Sequence, residues 1–164
     1  MIFRNLSNMK AAIFVDVQNI YYTTRDVFRR TFNYRYFYQH IKSSHDIHLA
    51  NAYAIDKGDE KQQKFQYALA SVGFNVKLKP YISRSDGSTK GDWDVGIAID
   101  IIEAAQDIKK IILLSGDGDF DVLVEKIIKS YGCIVDVYGV KDLSADSIIE
   151  KATNFIPITE KFLQ

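Results

Sequence analysis

What this chain lacks narrows its chemistry before any motif is considered. It has a single cysteine, Cys133, set in the apolar stretch Cys133, Ile134, Val135, so an intramolecular disulfide and a cysteine-based zinc site are both excluded. A reducing, cytoplasmic setting is expected. Its two prolines, Pro80 and Pro157, mark no linker, and no repeat, heptad or low-complexity segment divides the chain. Net charge is absent too: 21 Lys plus Arg stand against 21 Asp plus Glu, so any site for a polyanion must be a local patch. The longest apolar runs, such as residues 111–114, fall far short of the roughly 20 residues that span a bilayer, and no membrane association is expected. No G-x-G-x-x-G or G-x-x-x-x-G-K-[ST] phosphate loop occurs, which disfavours a nucleotide-cofactor enzyme. His40, His45 and His48 lack zinc-ligand neighbours, and Ser115 lacks the G-x-S-x-G setting of a hydrolase elbow.

What is present is a chain of 164 residues with 47% hydrophobic and 26% charged residues, the proportions of one globular domain. Residues 11–15 (AAIFV) form a continuous apolar run that stops at Asp16, the pattern of a strand buried on both faces. Residues 48–55, 74–78, 111–114 and 134–137 read as four further strands. Phe65, Ala68, Leu69 and Val72 repeat at helical spacing before Gly73, and Phe120, Leu123, Val124, Ile127, Ile128 and Tyr131 do so before Gly132. Residues 95–105 are apolar on most sides and predict a buried helix. Alternation of this kind predicts an α/β domain with a mostly parallel central sheet of five to six strands, covered by helices on both faces. Residues 1–9 read as an N-terminal extension, 10–158 as the domain and 159–164 as a tail. Residues 21–44 are rich in aromatics and bases and give no clear helical phase, while 83–90 (SRSDGSTK) has the composition of a loop.

Zero net charge conceals a segregation. Lys77, Lys79, Arg84 and Lys90 face one acid over residues 77–90, whereas residues 91–121 hold eight acids against Lys109 and Lys110. In open α/β sheets function gathers outside the carboxyl ends of the strands. Asp16 ends the first predicted strand, Asp117 follows the fourth through Ser115 and Gly116, and Asp94 starts the helix of residues 95–105. If the first and fourth strands are neighbours, Asp16 and Asp117 come together, with Asp119 beside them. Carboxylates crowded in this way raise one another's pKa unless a cation neutralises them, and an oxygen-only donor set selects Mg²⁺ or Mn²⁺. The competing use of Asp92, Asp117 or Asp119 is as a helix N-cap; Asp16 has no such default role. The run Asp117, Gly118, Asp119, Phe120, Asp121 is no EF-hand, because Val122 and Ile128 stand where that loop needs Gly and Glu.

Three segments, IFVDVQNIYY, KGDWDVGIAIDII and LLSGDGDFDVLVEKIIKSYGCIVDVYG, resemble the NYN domain family, in its LabA-like branch of the PIN-like ribonuclease superfamily. The resemblance implies a PIN-like, Rossmannoid three-layer fold, a Mg²⁺ or Mn²⁺ site and endoribonuclease activity on RNA. It matches the family's strand-end aspartate and following asparagine to Asp16 and Asn19, the aspartate of K-G-x-D-V to Asp94, and S-G-D-x-D-F to residues 115–120. Catalytic and metal-binding roles thereby fall to Asp16, Asp94, Asp117 and Asp119. This chain departs in having Asp92 and Trp93 between Gly91 and Asp94, so Asp92 stays open as the ligand. Many members also carry A-D-x-F near the C-terminus, where this chain has Ala152, Thr153, Asn154 and Phe155.

On that resemblance Asn19 and Ser115 would orient a ligand or phosphate, while Arg84 and Lys90, with Arg25, Arg29 and Arg30, would hold the RNA backbone. Tyr21, Tyr22 and Trp93 either stack unpaired bases or simply pack. The aromatics of residues 21–38 serve as an RNA platform or as the interface of a homodimer. The alternative class is a non-catalytic RNA-binding or regulatory adaptor that keeps the PIN-like shell.

Overall fold

The computed structural model describes residues 9–80 and 92–164, together with the backbone of 82–83 and 89–90. Its frame is a six-stranded, all-parallel sheet in the order β3-β2-β1-β6-β7-β8. β1 (Met9–Asp16) lies between β2 (His45–Asp56) and β6 (Lys110–Leu114), with β3 (Asn75–Pro80) at one edge. β7 (Ile134–Gly139) and β8 (Asn154–Pro157) complete the other side. A short antiparallel pair, β4 (Ile82–Ser83) and β5 (Thr89–Lys90), stands apart from the sheet. Residues 84–88, within the loop expected from composition, lie outside the described residues.

The continuous apolar run of β1 is explained by cover on both sides: residues 11 to 15 are all fully buried. Ala11, Ile13 and Val15 point to one core, built with α1 (Val17–Phe28), α2 (Tyr34–Lys42) and α3 (Glu60–Val72). Ala12 and Phe14 point to the other, built with α4 (Asp94–Ala105), α5 (Asp121–Tyr131) and α6 (Asp146–Lys151). The two cores follow from the strand's period of two.

Two helices occupy the stretch whose phase was unclear. α1 starts directly after Asp16 and ends at Arg29, the one non-glycine residue with positive φ (57°) among the described residues. α2 then begins at Asn33, whose Oδ1 accepts the Tyr36 N–H at 3.0 Å. Aromatics fall on exposed as well as buried faces here, which blurs the 3.6-residue stripe. α4 differs from the expected buried helix. Ile97, Ile101 and Ala105 face the sheet, but Val95 is 71% and Ile99 53% exposed, because among the described residues no layer lies outside α4 to cover that flank. Residues 159–164 pack onto the domain: Phe162 and Leu163 join the first core, and Leu163 bridges to Phe32. Among the described residues no helix is long and apolar enough to cross a membrane.

The sheet's direction changes between β1 and β6: the chain after β1 builds outward through β2 and β3, and the chain after β6 builds the other way through β7 and β8. That switch point opens a crevice at the C-terminal edge. Phe14, fully buried at the centre of β1, holds this region from below. Phe14→Ala is expected to lower stability by about 3–5 kcal/mol in chemical denaturation; a loss under about 1 kcal/mol would contradict the packing described.

Candidate metal centre

Asp16 ends β1 with its backbone already turning (φ −81°, ψ 88°) into α1. Its Oδ1 accepts the Asn19 N–H at 3.5 Å, a long cap at the limit of a hydrogen bond, so Asp16 does have the N-terminal role that its sequence setting did not suggest. Its Oδ2 accepts from the Ser115 hydroxyl at 3.1 Å. Ser115 follows β6, is fully buried, and its oxygen in turn accepts the Asp117 N–H at 3.1 Å. A relay therefore runs from the Asp117 backbone through Ser115 to Asp16, tying together the ends of the two central strands. Asn19 adds a second tie, its Oδ1 accepting the Gly116 N–H at 2.9 Å. Asn19 and Ser115, expected to face a ligand, thus direct these oxygens to the protein's own backbone and carboxylate.

Asp94 reaches the same crevice from the first turn of α4. Asp92 Oδ1 accepts the Asp94 N–H at 3.2 Å, which holds the turn through Trp93, the residue at the N-cap position of α4. Trp93 pins this turn: its indole N–H donates to the Ala54 carbonyl at 2.9 Å and its ring meets Tyr53 edge-on at 5.3 Å. Gly96 is required here, because a Cβ at that position would press into the Trp93 ring. Trp93 is therefore a packing residue. Beneath it, the Tyr53 hydroxyl donates to Asp100 Oδ2 at 2.7 Å and Lys77 Nζ pairs with the same oxygen at 2.7 Å, which joins α4 to β2 and β3.

One carboxylate oxygen from each of Asp16, Asp94 and Asp117 lies within 4.8 Å of the other two. Asp119 stays outside this triad; it is exposed, and its N–H donates to Asp117 Oδ1 at 2.9 Å, so Asp117 also caps the short 3-10 turn Gly118–Phe120. Arg84 and the side chain of Lys90 lie outside the described residues. Two supports were not legible in the sequence, Ser144 and Ala145 in the loop after β7. The Ala145 N–H donates to the Gly116 carbonyl at 3.0 Å, and Ser144 packs so tightly on Gly116 that a Cβ there would strike its backbone and hydroxyl. The glycines of SGDGD were the available signal, but they do not name what approaches them.

Thr153, where many relatives of the resembled family have an acid, is remote from the triad. Its hydroxyl oxygen accepts the Val135 N–H at 3.0 Å at the start of β7, and Asn154 bonds Asp136 at 2.8 Å. The triad lies towards the opposite end of the sheet, roughly 13 Å further along the strands for four residues, with β6 in between. The absent carboxylate therefore removes nothing from the triad.

Crowding is visible in the titration of the cluster. Burial raises the Asp16 pKa from 3.8 to about 6, against the hydrogen bonds from Ser115 and Asn19 and aided by the charges of Asp117 and Asp92. Asp94 rises to about 7, first through desolvation and then through the charges of Asp117, Asp92, Asp16 and Asp119. The less buried group has the higher value because it receives no hydrogen bond from a side chain and faces four carboxylates. A site of oxygen donors alone, carrying this unresolved repulsion, fits a hard divalent cation.

Residues 10–159 match the family described as NYN domain. The low amplitude and bright protein LabA of Synechococcus elongatus is 32% identical, with 71% of this chain and 66% of LabA covered, so the chain spans just under two thirds of LabA's length. The crystal structure of a protein of unknown function from Vibrio parahaemolyticus superposes with a TM-score of 0.91 at 49% identity, covering 96% of this chain and 98% of that one.

The raised carboxylates have a signed consequence. Between the unfolded value of 3.8 and about 7, the folded metal-free protein holds more protons than the unfolded chain, so the contribution of Asp94 to stability falls as pH rises through that window. Asp94→Asn removes the repulsion. Without divalent ions the variant is expected to melt above wild type near pH 8 and to lose that advantage near pH 4; an equal difference at both pH values would contradict the crowding.

Proposed function

Because the chain belongs to the NYN domain family of the PIN-like nuclease superfamily, we propose that it is a metal-dependent endoribonuclease that hydrolyses RNA phosphodiester bonds at Asp16, Asp94 and Asp117. The observation that carries this reading is the triad itself, three carboxylate oxygens within 4.8 Å at the topological switch point. A scaffold has no use for such mutual repulsion. Asp16, Asp94 and Asp117 would hold the cation, and the charge of Asp119, felt at Asp94, would add to its attraction. When bound, Mg²⁺ or Mn²⁺ supplies Lewis-acid polarisation of the phosphoryl group and lowers the pKa of water.

The chain's own residues do the positioning. Ser115 fixes Asp16 in one orientation, and Asn19 keeps the loop 115–117 against α1 while its amide nitrogen, unused by the described residues, faces no internal competitor for a phosphate oxygen. Arg84 and Lys90 neutralise the RNA backbone and carry no sequence information. In the net reaction water adds to phosphorus, the bond to one ribose oxygen breaks, and that oxygen leaves with a proton. The buried, unpaired Cys133, its thiol pKa raised by burial, suits a reducing cytoplasmic setting and takes no part in the chemistry.

The test is cleavage of a pool of structured and single-stranded RNAs at low salt with Mn²⁺. Asp16→Asn and Asp117→Asn are expected to lose activity by more than about 100-fold, and Ser115→Ala by roughly 10–100-fold, the usual cost of removing a residue that orients a ligand. Variants as active as wild type overturn the assignment; an inactive wild type that retains RNA moves the adaptor reading ahead.

A further inference from the structure

A cavity of about 370 Å³ opens at the start of α1, on the sheet face that carries α1 and α3 and opposite the face that carries α4. Its wall starts with Val17 and Gln18, the residues directly after Asp16, at about 4 Å of chain per residue. α1 is thereby two-sided. Asn19 and Thr23 turn towards the loop of residues 115–117 and the helix's own carbonyls, whereas Gln18, Tyr21 and Tyr22, spaced i, i+3 and i+4, line the cavity. Tyr34 and Phe65 supply further aromatic wall, and Lys61 of α3 supplies a positive charge, alongside Asp59, whose carboxylate accepts the Gln62 N–H at 2.7 Å.

Resting on the endoribonuclease reading, we propose that this cavity receives the base of an unpaired nucleotide next to the scissile phosphate and sets the enzyme's base preference. Three features select this occupant. The walls are aromatic planes, and Tyr21 and Tyr22 meet edge-to-face at 5.3 Å with the Tyr21 hydroxyl held by Arg25 at 2.9 Å, which fixes the pair. Tyr22 is 53% exposed and so offers ring surface to a ligand. The Gln18 amide, among the described residues, has no hydrogen-bond partner; it carries both donors and an acceptor, the complement of a base edge. Gln62, by contrast, is committed to the wall, bonded to the Lys57 N–H and the Ile55 carbonyl. A purely apolar ligand would leave Gln18 and Lys61 unused, and a double helix would present no free base face.

The experiment has two arms, with thermal melts as the folding control for Gln18→Ala and Tyr22→Ala. In the first, each of the four nucleoside 5′-monophosphates and ribose 5-phosphate is titrated into the metal-free protein and followed by amide NMR. Shifts at Gln18, Tyr22 and Phe65 with the nucleotides, and none with ribose 5-phosphate, are expected. In the second, a single-stranded RNA randomised around the cut is digested with Mn²⁺ and the products sequenced. Wild type is expected to prefer one base at a position flanking the cut, Gln18→Ala to flatten that preference, and Tyr22→Ala to weaken cleavage by about tenfold, the scale of one lost stacking contact. Cleavage whose base preference and rate are unchanged in both variants overturns the cavity's assignment and leaves the nuclease standing. An inactive wild type overturns the nuclease instead. The NMR arm then decides the cavity alone, with silence at millimolar nucleotide overturning it.

Discussion

Repulsion among three carboxylates at the end of the central strands is the constraint around which the rest of the molecule is arranged. Asp16, Asp94 and Asp117 approach within 4.8 Å, a geometry that like charges oppose and that only outside support can hold. That support comes mainly from backbone and buried hydroxyl rather than from basic side chains. Ser115 relays between Asp117 and Asp16, Asn19 clamps Gly116, and the loop after β7 closes over Gly116 from behind. A lysine or arginine in the same place would satisfy the charge and abolish the demand for a cation. Its absence among the described contacts of the triad leaves that charge unneutralised by the protein.

The two sheet faces have different duties in meeting it. On one, the Tyr53–Asp100–Lys77 network and the Trp93 indole fix the entry of α4, and so the height at which Asp94 enters the crevice. On the other, the aromatic core of Phe32, Tyr34, Phe37 and Phe162 seats α1 and α2. This second face also reaches the triad, since the first turn of α1 grows out of Asp16.

Much of this was legible in the sequence because burial leaves a periodic trace. The run AAIFV required a strand covered on both faces, and its ending in Asp16 placed a carboxylate at the sheet's C-terminal edge. The pairing of β1 with β6, on which the meeting of Asp16 and Asp117 depends, is present over residues 11–15 and 110–114. β8 left a weaker trace: it has four residues, one asparagine and one proline, too few for a period. α1 and α2 were obscured because Tyr21, Tyr22 and Tyr36 lie exposed among buried aromatics. α4 misled in the opposite direction, since apolar composition all round does not guarantee cover. The support of Gly116 by Ser144 and the harmless position of Thr153 depend on which strand ends meet, and no local pattern encodes that.

On the proposed function, Asp16, Asp94 and Asp117 form a divalent-cation site. Its most direct test is anomalous diffraction from crystals soaked in Mn²⁺. One strong peak within coordination distance of Asp16, Asp94 and Asp117, absent from Asp94→Asn crystals treated alike, is the predicted result. Well-ordered carboxylates with no peak among them, or manganese bound only at other surface acids, would contradict it.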